Sequence, residues 1–479
     1  MKRNTVAVIY DDSRPTGTEV QSITGKVSYG DTILKRRSLR ERTEDILKEL
    51  EHFGGFYPAD SISELLREGR ISKDCPVFRL FSDFIIKDRR AVDILLEKAC
   101  YADEPYRVAA AGKEGKERLC GVIFPTPEAY ISLRDEELEG YDAIRSDAFI
   151  DISDINNFRQ FITSGFDARF FNALSGNDYV VVKSSKNKAK IRAEYEFYRL
   201  LPEQMRMWFV SPFDYRETEE NASYSMERYH FTDLALRYVH GAIGEEEFDR
   251  VLDKLFYFIR NRKTKKVSRE EYAADERALY VTKVKRRFDE LKTKQEYAGI
   301  EKLLSAGTQY SSIDQIADRY FSLYERITGG RDFEPLLCVG HGDLCFSNIL
   351  YNKEADILKL IDPRGALKEE ELYMNPFYDI CKLSHSVCGS YDYFNSGMFE
   401  ISLSETNTLT LSIDSDNERY IRIFKKKLSE NGCDYRLIRL YEASLFLSML
   451  PLHIDRRKKV LGFILNAVRI MDEVEVQRK

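Results

Sequence analysis

The sequence predicts an α+β protein in two parts. An α/β segment fills the first 150 residues, and in the larger remainder strands give way to long helices. Three observations lead there. An apolar run, Thr5–Tyr10, passes into a turn-rich loop (Asp11-Asp12-Ser13-Arg14-Pro15-Thr16-Gly17) and then into mixed helical and strand patterns as far as Phe124. The composition changes near Asp151, after which strand-like runs lead to about residue 230. Beyond that come four amphipathic stretches, Leu234–Val239, Glu245–Ile259, Glu270–Leu291 and Ile313–Ile327. At 479 residues the chain exceeds one ordinary domain. The expected division is 1–150, 151–230 and 231–479.

In the first segment helices are expected over Leu39–Phe53, Ser61–Arg67 and Ala91–Tyr101, the last with Val92, Leu95, Leu96 and Ala99 on one face. Strands are expected at Val77–Phe81 and Cys120–Phe124. A strand, a glycine-containing loop and a helix in succession leave two readings open, an accessory domain and a degenerate nucleotidyltransferase. In the second part Phe166–Leu174 and Tyr179–Lys183 read as a hairpin across Ser175-Gly176-Asn177-Asp178. The helix Ile191–Leu201 follows, and Ala222–Tyr229 reads as a further strand. Near the C-terminus a strand is expected at Leu409–Ile413, with helices at Glu418–Leu428, Asp434–Leu450 and Asp455–Val474, the last two separated by Pro451.

A net charge of −6 on 154 charged groups gives no reason to expect a nucleic-acid or membrane-surface partner. Eight cysteines without a Cys-x-x-Cys pair argue against zinc and for free thiols in a reducing compartment. No apolar run approaches membrane-spanning length, and the N-terminus lacks a signal-peptide pattern. A cytoplasmic protein is expected.

The chemistry concentrates in one stretch. Cys338-Val339-Gly340-His341-Gly342-Asp343 carries an apolar strand into a tight loop. Asn348 follows five residues after Asp343, and a second strand, Leu358–Ile361, ends in Asp362-Pro363-Arg364-Gly365. Asp343 is the group in the first loop able to accept a proton from an attacking hydroxyl. Asn348 and Asp362 offer the hard oxygen ligands that Mg²⁺ takes alongside phosphates. Base, amide and carboxylate on adjacent loops are the parts of phosphoryl transfer to an alcohol.

His-Gly-Asp-x-x-x-x-Asn followed by an apolar strand ending in Ile-Asp resembles the catalytic and metal loops of the aminoglycoside phosphotransferase and choline kinase family. The resemblance spans roughly residues 158–475 and is specific only over 341–365. It implies a bilobal protein-kinase-like phosphotransferase fold, with ATP and Mg²⁺ as cofactors. It also implies a small hydroxyl compound as acceptor: a sugar, an amino alcohol or a glycan precursor. The Asp-Pro-Arg-Gly loop, in place of Asp-Phe-Gly, is similar to the sugar-amine and methylthioribose kinase branches.

Further roles follow from the resemblance. Lys183, in an apolar strand, matches the phosphate-binding lysine, and a carboxylate on the next helix should brace it. Glu194 lies on the stripe Glu194-Phe197-Tyr198-Leu201 and is the expected brace, with Glu196 the alternative. Ser164-Gly165 stands where a phosphate loop belongs, in reduced form. Met226–Tyr229 resembles the hinge, so the backbone of Glu227 and Tyr229 is expected to meet adenine. Asp379 matches an acidic residue that braces the catalytic loop, although a helix-start carboxylate reads equally well. Tyr441, His453 and Asp455 are candidate acceptor contacts. Two other functions stay open: a bifunctional kinase and nucleotidyltransferase, and a catalytically silent nucleotide-binding scaffold. The sequence leaves the oligomeric state unknown.

Overall fold

A computed structural model describes residues 5–25, 27–34, 37–111, 117–162, 174–176, 179–229, 231–405 and 407–476. They fall into two units, Met1–Ser164 with His240–Ala242, and Gly165–Val239 with Ile243–Lys479. The helix Ile155–Ile162, which follows the composition change at Asp151, stays with the first unit.

The first unit is built on a six-stranded sheet of β1 (Val6–Asp11), β2 (Phe53–Pro58), β3 (Val77–Phe81), β4 (Tyr106–Ala111), β5 (Glu117–Phe124) and β6 (Ala143–Arg145), in the order β2-β1-β3-β5-β4-β6. β1 runs parallel to both its neighbours, and all six of its residues are buried. That burial accounts for its unbroken apolar run, because a parallel strand is covered on both faces. The helix Arg89–Ala99 starts where Asp88 accepts the N–H groups of Arg90 and Ala91. It buries Val92, Leu95, Leu96 and Ala99, the face its spacing predicts. The helix expected over Leu39–Phe53 instead ends at Lys48, and Phe53 opens β2. Phe53–Pro58 owes its conformation to pairing with β1, a tertiary contact that helical periodicity does not register. Beyond β3, the buried Asp83 accepts hydrogen bonds from Arg14 and Arg118, and Arg118 also reaches the buried Asp151.

The second unit has a bilobal protein-kinase-like fold. Its smaller lobe is an antiparallel sheet of β7 (Leu174–Gly176), β8 (Val180–Ser185), β9 (Pro212–Glu217) and β10 (Ala222–Glu227), ordered β7-β8-β10-β9. Helix α1 (Lys188–Leu200) packs on this sheet and buries Ile191, Glu194 and Phe197. Most of the expected strand Phe166–Leu174 lies outside the described residues. Its end, Leu174, pairs with Lys183. Lys183 stands within β8 rather than at its end, with Tyr224 of β10 as its other cross-strand neighbour.

The larger lobe is helical around one continuous apolar core that runs from Phe197 to Val474. Arg269–Arg277, a π-helical turn over Ala278–Thr282, and Lys283–Lys292 follow one another directly and together form α2. A strand Leu336–Val339 (β11) and a hairpin of β12 (Ile349–Asn352) and β13 (Ile357–Leu360) carry the motif loops. Leu360 exchanges backbone hydrogen bonds with Trp208 and Val210, which joins the hairpin to the smaller lobe. Helix α3 (Tyr378–Val387) backs the loops, and α4 (Tyr435–Met449) lies against it in the core. Among the described residues no helix is long and apolar enough to cross a membrane.

Candidate active site

The loop between β11 and β12 is held from behind. Asp379, in the first turn of α3 and fully buried, accepts the N–H groups of His341 (2.9 Å) and Gly342 (2.8 Å). Its charge is matched by Arg262, 2.9 Å away. Gly342 has φ +77°, and a Cβ there would stand 2.5 Å from the Cβ of Arg364. Both facts require glycine. His341 stacks on Phe209 at 5.7 Å and is wholly buried. Its Nδ1 accepts the N–H of Asp343 (3.1 Å), which assigns the ring proton to Nε2, 2.9 Å from the carbonyl of Ile361. Burial holds the ring neutral by pushing its pKa below the ordinary value. His341 is thus a spacer that fixes one motif loop against the other.

Asp343 presents its carboxylate to solvent, with the side chain 43% exposed. The Asn348 amide donates to its carbonyl (2.8 Å) and to its carboxylate (3.2 Å). That fixes the amide so that Oδ1 is the acceptor left for a cation. Lys382, from α3, lies 2.8 Å from Asp343. Desolvation pushes the Asp343 carboxyl up, but the Lys382 ammonium overrides it and leaves the pKa below the usual carboxylate range. Asp343 is therefore ionised at neutral pH.

Asp362 follows β13 with φ +56°, in the left-handed region, which is uncommon for a residue with a Cβ. The loop is fixed on both sides. Arg364 donates its N–H to the His341 carbonyl, and Ala366 donates to the Ala193 carbonyl of α1. Lys183 joins the lobes, since its ammonium lies 2.7 Å from Glu194 and 2.8 Å from Asp362. Burial lowers the Lys183 pKa, but Asp362 and Glu194 together carry it above its ordinary value. Glu194 is buried and also accepts from Tyr224 (3.1 Å). Glu196, the alternative brace, instead lies 3.8 Å from Arg199, with its side chain 31% exposed.

Asn348 and Asp362 offer oxygen donors of the kind Mg²⁺ takes when it holds one or two protein oxygens alongside phosphate and water. Glu227 closes β10 and is exposed. Tyr229, just beyond it, lies beneath the Lys359 ammonium. Ser164 and Gly165 lie outside the described residues. Tyr441 is in the core, stacked on Tyr280 and bonded to Glu276. His453 faces Phe463 edge-on in the same lobe.

A 570 Å³ cavity opens beside Asp343, lined by Gly342, Asp343, Arg364, Lys382, Tyr378 and α2 residues including Asp275, Lys283 and Arg286. None of Tyr441, His453 and Asp455 lines it. Sequence reasoning missed its cations because they come from three separate elements. Arg364 is legible only as part of the Asp-Pro-Arg-Gly loop, and Lys382 lies one turn of α3 past Asp379.

No family model and no curated protein matches the chain. Among solved structures it is similar to a thermostable mutant of aminoglycoside phosphotransferase APH(4)-Ia in ternary complex with ADP and hygromycin B. That pair has 12% identity, 63% of this chain and 94% of that chain covered, and a TM-score of 0.37. It is also similar to a putative fructosamine-3-kinase from Haemophilus somnus 129PT, at 10% identity, 62% and 83% coverage and a TM-score of 0.33. A third likeness is to 4-diphosphocytidyl-2C-methyl-D-erythritol synthase, at 12% identity, 31% and 91% coverage and a TM-score of 0.23. At these scores the likenesses carry no functional argument, and the kinase-like fold rests on the sheet, the Lys183–Glu194 pair and the two motif loops described above.

Proposed function

We propose that the protein is an ATP- and Mg²⁺-dependent phosphotransferase acting on a hydroxyl group of a small molecule. The observation that carries this reading is that Lys183 contacts Glu194 and Asp362, Asn348 contacts Asp343, and the two loops are tied by the backbone hydrogen bonds Arg364 to His341 and Ile361 to Asn348. Glu194 holds Lys183 extended, so that the ammonium can neutralise the α- and β-phosphates of the nucleotide. Asn348 and Asp362 would hold the Mg²⁺, which when bound neutralises charge on the β- and γ-phosphates. The acceptor hydroxyl attacks the γ-phosphorus, the bond from that phosphorus to the β,γ-bridging oxygen breaks, and ADP leaves. The hydroxyl proton passes to Asp343. Because Lys382 keeps Asp343 ionised, the carboxylate orients the hydroxyl from the start and takes up the proton as the new bond forms.

Backbone groups at Glu227 and Tyr229, and Ser164-Gly165 as a reduced phosphate loop, would complete the proposed nucleotide site. Residues 151–230 and 231–479 would be its lobes, and residues 1–150 an accessory domain. The eight cysteines, none of them in a disulfide, are in keeping with a cytoplasmic setting. Calorimetric titration with Mg-ATP tests the reading. Asp362→Ala should abolish Mg²⁺-dependent binding, and unchanged affinity in that variant would contradict it.

A further inference from the structure

We propose that the acceptor is an anion, a hydroxyl compound carrying a phosphate or carboxylate group. This rests on the phosphotransferase reading and specifies its substrate. The 570 Å³ cavity is lined by Asp343, where the proposed acceptor hydroxyl must lie, and by the α2 residues Asp275, Ala278, Leu279, Thr282, Lys283 and Arg286. Four cations line it: Lys283 and Arg286 from α2, Arg364 from the loop after Asp362, and Lys382 from α3. Two carboxylates oppose them, Asp275 and Asp343. Lys382 is committed to Asp343 at 2.8 Å. Asp275 accepts the N–H of Asn375 at 2.7 Å, and burial raises its pKa, with Arg364 opposing the rise. Lys283 donates one hydrogen bond to the Tyr378 hydroxyl (2.8 Å), which leaves two of its ammonium hydrogens for a ligand. Arg286 and Arg364 are exposed at the cavity.

With the Lys382–Asp343 pair set aside, the rest of the lining is net positive, Lys283, Arg286 and Arg364 against Asp275. A polycationic acceptor would be repelled there, and a neutral one would leave three cations unused. A phosphate or carboxylate would meet Lys283, Arg286 and Arg364 while the hydroxyl reaches Asp343. The π-helical turn Ala278–Thr282 supports the assignment, because Ala278, Leu279 and Thr282 all line the cavity. Such turns are frequent at functional sites.

The test is a titration of the full chain with inorganic phosphate, followed by ³¹P NMR, and in parallel with acetate, glucose 6-phosphate, glucuronate, glucose and glucosamine. Wild type should bind phosphate saturably, and at least one anionic sugar about tenfold or more tighter than glucose and glucosamine. The phosphate and acetate arms, with the two anionic sugars, separate a phosphate from a carboxylate preference. In the double variant Arg286→Ala, Arg364→Ala the anion affinity should fall about tenfold or more, while Mg-ATP affinity stays within about twofold. Both side chains are exposed, so the variant should fold, and circular dichroism checks that it does. No saturable anion binding, or an equal preference for glucosamine, would overturn the proposal. So would a parallel loss of Mg-ATP affinity in the variant, which would assign these cations to the nucleotide. Anion binding by a wild type that does not bind Mg-ATP would uphold the cavity's charge preference while removing the phosphotransferase reading, so the two failures are distinct.

Discussion

Replacing Asp379 tests whether the loop that carries His341, Gly342 and Asp343 is held in shape by one buried carboxylate. In the native protein its two oxygens take the N–H groups of His341 and Gly342 and the Arg262 guanidinium, at 2.8–2.9 Å. Asp379→Asn keeps the shape, but its amide has one acceptor oxygen and an NH₂ group that faces donors. At least one backbone N–H loses its partner, and Arg262 is left buried without its counter-charge. An orphaned buried donor costs about 1–3 kcal/mol, and breaking a buried ion pair about 3–5 kcal/mol. The two overlap, because Arg262 also donates to the Pro376 carbonyl, so about 2–4 kcal/mol is expected locally. At about 1.4 kcal/mol per factor of ten, the amides of His341 and Gly342 should exchange with deuterium about 30- to 700-fold faster. The assay is hydrogen exchange resolved to peptides covering 338–345, with 251–258 of the larger lobe as internal reference. Acceleration below about threefold in 338–345, or equal acceleration in both segments, would refute the bracing role.

Two further outcomes follow from the charges. Glu194→Gln should impair turnover more than Glu196→Gln, because only Glu194 pairs with Lys183; steady-state rates of the two variants under saturating Mg-ATP decide it. Asp392, buried in the helix Tyr391–Asn395, has its pKa raised to about 7, chiefly by desolvation, with Asp233 and Asp343 adding to it. Its folded pKa lies above the unfolded value near 3.9. The unfolded chain therefore ionises first, and stability is lost as pH rises from about 4 to about 7. Asp392→Asn should gain stability over wild type across that window, by up to about 4 kcal/mol, and the gap should level off above pH 7. Thermal melts from pH 4 to 8 measure it, and a gap that does not change with pH would contradict the assignment.

How much of this was legible in the sequence depends on how each part is assembled. The motif loops could be read because their polar residues lie within 341–365 and are spaced by short apolar strands, so local chain geometry fixes their arrangement. Glu194 could be chosen over Glu196 because a carboxylate on an apolar helical stripe must find a buried partner. Asp379 could be placed only through the family resemblance, since a carboxylate in a first helical turn has an ordinary capping explanation. Strand Pro212–Glu217 went unread because none of its six residues is fully buried, so no alternation marks it. The helix Tyr297–Gly307 went unread too, with only Ile300, Leu304 and Gly307 facing inward. The cavity's cations were invisible for a different reason. Residues 283, 286, 364 and 382 have no common spacing, and only tertiary packing gathers them around one space.

In the proposed reaction Asp343 accepts the proton of a hydroxyl that attacks Mg-ATP. The most direct measurement compares wild type with Asp343→Asn, incubated with Mg-ATP and a library of hydroxyl compounds (hexoses, polyols, amino alcohols and their phosphorylated or carboxylated forms), with products followed by mass spectrometry. The substitution preserves shape and leaves Lys183, Asn348 and Asp362 in place, so Mg-ATP affinity should stay close to that of wild type. The expected result is one acceptor class gaining a phosphate with wild type and turning over about 10²–10⁴-fold more slowly with the variant. Equal turnover by the two proteins would remove Asp343 from the chemistry. ATP bound tightly by wild type but never transferred to any compound would contradict the account and favour a nucleotide-binding scaffold.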